Sequence, residues 1–177
     1  MTAEELPTAA LAERTEAAGF HSFFQREYPR LVRALTATTG NLADAEEAVQ
    51  EAMARTYERW GRVARRGDPT GYVYVTAVNA HRRSRRRLTR LVFGRSDEAA
   101  AGGSDGVAEL VQRDLLLRGL RSLSAGERHA LLLVAWLGMD AAAAGEALHI
   151  KPASVRSRIH RARERLEKMR EEVKSDG

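Results

Sequence analysis

The sequence predicts an all-α protein made of two small helical domains that a flexible linker joins. The sequence of 177 residues contains only four prolines, and aromatic residues make up 6% of it. Both values disfavour a β-rich domain. Long stretches rich in Ala, Leu, Arg and Glu carry apolar residues at helical spacing, and these favour helices. Residues 94–106, GRSDEAAAGGSDG, have the composition of a linker, so we place the domain boundary there.

The first domain is predicted to span residues 19–93, after a disordered extension over residues 1–18 that is rich in Ala, Glu and Thr. From Phe20 onward the apolar residues follow helical spacing. Pro29 interrupts that spacing, and we expect it to kink the helix or to restart it.

Two further helices are predicted in the first domain. Asn41 is expected to cap the first of them and Gly61 to end it. Asp68 is expected to cap the next, with Pro69 at its first position, and this helix runs to Val92 through the basic motif RRSRRR. The apolar stripe of the Asn41 helix consists of Ala45, Ala48, Val49, Ala52, Met53, Thr56, Tyr57 and Trp60.

The second domain, residues 107–177, is predicted to contain four helical segments. The first covers residues 107–120. Ser124 is expected to begin the second through a capping box with Glu127. This second helix is strongly apolar, so we expect Trp136 to lie in the core and Gly138 to end the helix.

The last two segments predict a helix-turn-helix. A short alanine-rich helix capped by Asp140 leads through a turn at His149 to a long helix that begins at Pro152. One narrow apolar stripe is predicted to fix that long helix on its domain, leaving the opposite arc free for a DNA major groove. The stripe comprises Val155, Ile159, Ala162, Leu166, Met169 and Val173, and the outer arc comprises Arg156, Ser157, His160, Arg161, Arg163 and Arg165.

The net charge of +5 is distributed in alternating blocks. Residues 1–54 carry −5, residues 55–95 carry +10, residues 96–148 carry −4 and residues 149–177 carry +4. Each basic block ends one predicted helical domain. This distribution indicates two separate contacts with a polyanion and acidic surfaces that face another partner.

Several function classes are excluded by composition. The chain contains no cysteine, so we expect neither a disulfide framework nor a thiolate site, as in a reducing compartment. The five histidines show no pairing at metal-ligand spacing, and no glycine-rich phosphate loop is present. No apolar run is long enough to span a bilayer. We therefore predict no metal, no cofactor, no catalytic residues and no membrane segment.

Three segments resemble the signatures of extracytoplasmic-function (ECF) sigma factors, small bacterial RNA polymerase subunits with two helical domains. They are residues 41–60, residues 69–87 and residues 153–166, and the resemblance extends over residues 20–90 and 112–168. The segment GYV…VNAHRRSRRR is most similar to an actinobacterial subgroup. The resemblance implies that the first domain is sigma domain two and the second is sigma domain four.

The resemblance also implies three sets of contact residues. Those for core polymerase docking are Asp44, Glu47, Gln50, Glu51 and Arg55. Those for capturing and holding the −10 promoter strand are Arg66, Asp68, Thr70, Tyr72, Asn79, Arg82, Arg83, Arg86 and Arg87. A flipped base needs an aromatic wall and amide hydrogen bonds, which Tyr72 and Asn79 offer. Those for −35 binding are Lys151, Ser154, Arg156, Ser157, Arg158, His160 and Arg161.

The sequence departs from the family pattern at three places. Arg83 stands where the family often has Asp. The actinobacterial subgroup shares this departure from the family pattern. Ala143-Ala144-Gly145 replaces a Glu-Ile-Ala core in the helix-turn-helix. His149 occupies a turn position usually held by Gly, where positive φ is common.

We therefore expect a promoter-recognition subunit that acts in the cytoplasm and is not an enzyme. The resemblance implies core RNA polymerase (β′ clamp helices and β flap) and promoter DNA as partners, with an anti-sigma factor as regulator. Two alternatives stay open at this point. One is a stand-alone dimeric helix-turn-helix regulator, and the other is a degenerate sigma paralogue that acts as a protein-binding decoy.

Overall fold

The computed structural model describes residues 8–91 and 107–175, which form α-helices and connecting turns without a strand. No helix among the described residues has the length and hydropathy needed to cross a bilayer. The predicted linker, residues 94–106, lies outside these ranges. The helices are α1 (Thr8–Thr39), α2 (Leu42–Tyr57), α3 (Trp60–Val63), α4 (Pro69–Leu91), α5 (Val107–Ser122), α6 (Ala125–Leu131), α7 (Ala141–Leu148) and α8 (Pro152–Ser175).

Helix α1 corrects two predictions. It begins at Thr8, so the predicted disorder is wrong for residues 8–18. It also passes through Pro29 without a restart. The aromatic ring of Phe20 lies 5.0 Å from Tyr57 and 5.3 Å from Trp60, so contacts with the next helices stabilise the N-terminal half of α1.

The first helical unit, α1 to α4, is held together by the apolar face of α2. Asn41 caps α2 as predicted, since its side chain accepts a hydrogen bond from the Asp44 backbone N–H. The predicted end at Gly61 is wrong, because α2 ends at Tyr57 and a short turn leads into α3. The apolar stripe is confirmed from Ala45 to Thr56, and its buried members are Ala45, Ala48, Val49, Ala52, Met53 and Thr56.

The second helical unit, α5 to α8, follows the predicted capping signals. Ser124 and Glu127 form the full capping box at the start of α6. Helix α6 continues as a π-helical turn over Leu132–Trp136, and Gly138 then takes a φ of 78°. Asp140 caps α7, and His149 follows it in the left-handed region with a φ of 54°. The predicted helix-turn-helix is therefore α7, a left-handed turn residue and α8.

The two units pack against each other, and one buried cluster of apolar residues extends through both. One close contact between the units is at Gly71 in the first turn of α4. A Cβ atom at this position would lie 3.0 Å from Ala147 Cβ of α7 and 2.6 Å from Met139 Cε. A larger residue at Gly71 therefore requires the flexible end of the Met139 side chain to shift, so Gly71 marks a contact between the units rather than within one.

We predict that Ser124→Ala destabilises the second unit by about 1 kcal/mol, because the Glu127 N–H loses its hydrogen-bond acceptor at the start of α6. Ser154→Ala, at an exposed serine in the first turn of α8, is the matched control and leaves stability unchanged. Urea unfolding followed by circular dichroism measures both. Equal midpoints for the two variants would contradict the capping role.

Candidate nucleic-acid interface

Four of the nine residues predicted to capture the −10 strand line one cleft. Its volume is about 470 Å³, and it lies between the two helical units. The first unit contributes Arg59, Arg62, Arg66, Asp68, Tyr72, Thr76 and Asn79 to the lining. The facing wall consists of Met139, Ala143, Glu146, Ala147 and His149 of the second unit. Arg66, Asp68, Tyr72 and Asn79 are thus brought together at the cleft, where Tyr72 is half-buried and the other three are exposed.

Two residues of this predicted set serve the local structure. The Asp68 carboxylate accepts a hydrogen bond from the Thr70 backbone N–H at 2.8 Å, which caps α4 as predicted. Thr70 itself is buried, with 5% of its surface exposed. Its side chain is therefore covered in this conformation, in contrast to the exposed contact that the resemblance implies.

The four predicted phosphate-binding arginines of α4 are exposed, but two of them already have partners. Arg83 donates to the Glu51 carboxylate of α2 at 3.1 Å. Arg82 donates across the unit boundary to His129 Nε2 at 3.2 Å. Arg86 and Arg87 lie further along α4 with exposed side chains. The helix therefore offers its phosphate-binding charge mainly toward its C-terminal end.

A chain of hydrogen bonds crosses the boundary at His129. Because a guanidinium group only donates, Nε2 accepts from Arg82 and the proton of the neutral ring is on Nδ1. That Nδ1–H donates to the Tyr74 hydroxyl oxygen at 2.9 Å. The Tyr74 hydroxyl in turn lies 3.5 Å from Thr38 Oγ1, which donates to the Ala34 carbonyl at 3.2 Å. We call Arg82, His129, Tyr74 and Thr38 the closure network.

Burial sets the protonation of the closure network. Desolvation, together with the nearby charges of Arg82, Arg128 and Arg158, lowers the pKa of His129 to about 4. Desolvation likewise raises the pKa of Tyr74 to about 12, although Thr38 and two arginines oppose the shift. Both groups are therefore neutral at pH 7, which is the state that the hydrogen-bond directions require.

A second polar contact crosses the boundary between α1 and the end of the π-helical turn. Arg30 donates to the carbonyl oxygens of Trp136 at 3.1 Å and Leu137 at 3.2 Å. The Trp136 indole N–H donates back to the Arg30 carbonyl at 3.1 Å. Trp136 is 45% exposed, so its predicted place in the core is wrong. Arg30 is itself held by Glu27, a buried carboxylate 3.0 Å away.

The outer arc of α8 is exposed as predicted. Val155, Ile159 and Ala162 are buried, whereas Arg156, Ser157, His160 and Arg161 face away from the unit. Lys151 and Ser154 are exposed at the start of the helix. The arrangement leaves the N-terminal half of α8 open to a DNA groove.

Arg158 is the exception among the predicted −35 residues. Its side chain is half-buried and covers Gly126 of α6, where a Cβ would lie 3.2 Å from the guanidinium carbon. The carboxylate of Glu127 is also buried there, 3.9 Å from Arg161 and 3.8 Å from Arg165. The Ser124 backbone and side-chain hydrogen bonds hold the pKa of Glu127 below its ordinary value. Arg158 therefore joins α6 to α8 and does not share the exposed arc.

The predicted polymerase-docking residues lie along the outward side of α2. Glu47, Gln50, Glu51 and Arg55 are exposed, and Asp44 is half-buried near the helix start. Glu51 pairs with both Arg55 and Arg83, and Gln50 donates to the Tyr28 hydroxyl at 3.2 Å. These contacts hold the side chains in place without covering them.

Sequence reasoning missed the residues that join the units. His129, Tyr74 and Arg30 lie on helices whose local pattern indicates only core or solvent positions. A hydrogen bond between residues 55 positions apart has no local signal. Gly71, early in α4, is a sequence feature that is consistent with another element packing closely there.

Comparison with known families agrees with this geometry. The family description "Sigma-70 region 2" matches residues 23–91, and "Sigma-70, region 4" matches residues 113–166. The first match spans the helices that carry the cleft residues, and the second ends within α8. The chain belongs to the ECF sigma factors. It is an alternative sigma subunit of bacterial RNA polymerase. Sigma factors are transcription initiation factors that recognise promoters.

Sigma-E factors of Streptomyces are among the relatives of this sigma factor. The RNA polymerase sigma-E factor of Streptomyces avermitilis is 25% identical over 158 residues, which cover 88% of this chain and 86% of that protein. The sigma-E factor of Streptomyces coelicolor is also 25% identical, over 87% of this chain and 85% of its own length.

Two solved structures share the fold of this sigma factor. The sigma factor RpoE from Bartonella quintana, in complex with the anti-sigma factor NepR, has a TM-score of 0.67 at 20% identity, covering 86% of this chain and 97% of that one. CnrH, in complex with the cytosolic domain of CnrY, has a TM-score of 0.64 at 21% identity, covering 96% of each chain.

We predict that Arg158→Ala lowers the free energy of unfolding by about 1 kcal/mol, because it removes packing between α6 and α8. Arg156→Ala is the matched control, since it changes an exposed arginine two residues away, and it changes stability by less than about 0.5 kcal/mol. Urea unfolding of the two variants measures the difference. An effect of Arg156→Ala as large as that of Arg158→Ala would contradict the separation of their roles.

Proposed function

We propose that this sigma factor binds the −35 element through the outer arc of α8 and captures the −10 strand at the face of α4 that carries Tyr72 and Asn79. The observation that carries the proposal is the presence of two exposed basic helix surfaces, one in each unit, each backed by a buried apolar stripe. Promoter DNA is a polyanion long enough to contact both basic helix surfaces at once.

The −10 assignment rests on the residue types that meet at the cleft. Tyr72 provides an aromatic surface for an unstacked base, and the amide of Asn79 provides a donor and an acceptor for its edge. Arg66 at the same cleft, with Arg86 and Arg87 further along α4, neutralises backbone phosphates. Arg82 and Arg83 join them once they leave His129 and Glu51.

The −35 assignment rests on the exposed N-terminal half of α8. Arg156, Ser157, His160 and Arg161 reach base edges, and Lys151 and Ser154 contact the phosphate backbone beside them. Arg158 orients α8 from behind, so its contribution to DNA binding is indirect.

Core polymerase binds the outward face of α2 in this proposal. Asp44, Glu47, Gln50, Glu51 and Arg55 contact the β′ clamp helices, and the second unit contacts the β flap. An anti-sigma factor is the proposed regulator, supported by the sigma–anti-sigma complexes of the two structural relatives. The protein acts in the cytoplasm with the polymerase and is not itself an enzyme, because the polymerase performs the chemistry.

We predict that adding this sigma factor to core RNA polymerase produces start-site-specific transcripts from a library of genomic fragments. Run-off transcription with and without the chain measures this. Core polymerase alone is the control for unspecific initiation. If no fragment yields a specific transcript, the subunit does not direct initiation, and the decoy alternative gains if the chain still binds core polymerase.

We predict different defects for the two DNA-binding surfaces. Asn79→Ala reduces promoter melting by about threefold to tenfold while duplex binding stays intact, because one hydrogen-bonding group for the flipped base is lost. Arg156→Ala weakens duplex binding about tenfold, as expected for the loss of a bidentate base contact. Arg170→Ala, about 21 Å further along α8, is the control.

The two defects are measured on a promoter found in the transcription assay, by permanganate reactivity for melting and by gel shift of the holoenzyme for binding. Identical behaviour of Asn79→Ala and Arg156→Ala would refute the division between the two surfaces.

A further inference from the structure

The second helical unit covers part of the surface that the first unit uses for the −10 strand. The cleft that contains Tyr72, Thr76 and Asn79 has Met139 and α7 as its opposite wall. Arg82, one of the predicted phosphate-binding residues, is turned toward His129. The −35 residues on the outer arc of α8 stay exposed in the same conformation.

We propose that this sigma factor closes on itself, and that the closed chain keeps its −35 surface open while it blocks capture of the −10 strand. The Met139–α7 segment of the same chain forms the opposite wall of the cleft and narrows the access to the −10 face. The closure network holds it there. This inference rests on the proposed function, because it describes the regulation of the same −10 surface.

The packing between the units is specific to the closed state. At Gly71 the side chains of Ala147 and Met139 pack closely, so that a Cβ there would lie 3.0 Å from Ala147 Cβ and 2.6 Å from the flexible end of Met139. Tyr74 is almost fully buried, with 1% of its surface exposed, and its hydroxyl bonds to the other unit. Opening the chain would leave Tyr74 and His129 without each other, and each must then find water as its partner.

The ring of His129 makes closure dependent on pH. The charged and titratable groups that face it are Tyr74 and Arg82 from α4, Arg128 from its own helix α6 and Arg158 from α8. Helix α1 adds only the Thr38 hydroxyl, through Tyr74. A second proton on the ring would lie on Nε2, against the Arg82 guanidinium. Protonation of His129 therefore breaks the closure network at its centre.

The sign of the pH effect follows from the neutral ring. The pKa of His129 is about 4 in the closed chain, against an ordinary value of 6.5 for an imidazole in water. Closure is therefore fully favoured above pH 6.5 and is opposed more strongly as the pH falls toward 4. Between pH 7.5 and 5.5 the ratio of closed to open chain falls by about tenfold.

A cysteine pair tests closure directly, because the chain contains no other cysteine. In G71C/A147C the two Cβ atoms start 3.0 Å apart, and a shift of about 0.5 Å reaches the separation of a disulfide. We expect this variant to form an intramolecular disulfide under mild oxidation. G71C/A142C is the matched control, since Ala142 lies on the exposed side of α7. Failure of the first pair to cross-link, or equal cross-linking of both, overturns the proposal.

The functional arm uses the oxidised variant after the oxidant has been removed. Added to core polymerase, it is expected to lose specific transcription at least tenfold relative to its own reduced form, and added reductant restores the loss. Full transcription by the cross-linked chain overturns the block. If the reduced form and the unmodified chain also fail to transcribe, the proposed function fails instead, while cross-linking still reports closure.

The closure network is tested without DNA. Fluorescent labels on E46C/E171C, two exposed positions in different units, report the distance between the units. We expect energy transfer to change between pH 7.5 and 5.5, and the change to disappear in His129→Phe. The control His21→Asn, at an exposed histidine of α1, keeps the pH response. A pH response that survives His129→Phe overturns the role of His129.

Tyr74→Phe separates the hydroxyl from the ring, so the first unit keeps its core. The added Y74F substitution is expected to slow cross-linking of the G71C/A147C pair about fivefold, because the Nδ1–H of His129 then has no partner in the closed chain. Circular dichroism confirms that the variant is folded. An unchanged cross-linking rate overturns the closure network while leaving the packing at Gly71 in place.

Discussion

The contact between the two helical units depends on one buried imidazole that must stay neutral. His129 accepts a hydrogen bond from the Arg82 guanidinium and donates one to Tyr74, so each ring nitrogen has a defined role. Desolvation and three arginines keep the ring unprotonated at pH 7. This bond pattern joins α4 to α6, and near the start of α4 the side chains of Met139 and Ala147 pack against Gly71. The Arg30–Trp136 exchange fixes the far side of the same boundary.

Each basic helix shows how one sequence carries both packing and recognition. In α8 the residues Val155, Ile159 and Ala162 are buried, which leaves the opposite arc to arginines and polar groups. In α4 the residues Val73 and Ala77 are buried, which leaves Tyr72 and Asn79 on the side of the helix that lines the cleft. The two outer surfaces differ in the closed chain. The arc of α8 is open, whereas the face of α4 forms one wall of a cleft.

Much of the fold was predictable because its signals are local. The caps at Asn41, Asp68, Ser124 and Asp140 and the left-handed turn at His149 depend only on residues within one turn. The helix does not restart at Pro29, because tertiary packing of Phe23 and Leu31 on either side outweighs a single missing N–H. For the candidate site, the convergence of Tyr72 and Asn79 followed from the family resemblance. The contact between His129 and Tyr74 could not be predicted in this way. A histidine on an apolar helix indicates a core position, and the sequence does not show which residue lies opposite it. Nor was the role of Arg158 visible, because burial against Gly126 depends on how α6 meets α8.

The most direct test of this account is the protonation of His129 in the intact chain, measured by nitrogen-15 NMR of the imidazole. The account predicts that at pH 7 the ring is neutral with its proton on Nδ1, and that it titrates near pH 4. The exposed His160 serves as the internal comparison in the same spectra. A ring with its proton on Nε2, or one that titrates near 6.5, would mean that Arg82 and Tyr74 do not hold it and that the two units are not joined through His129.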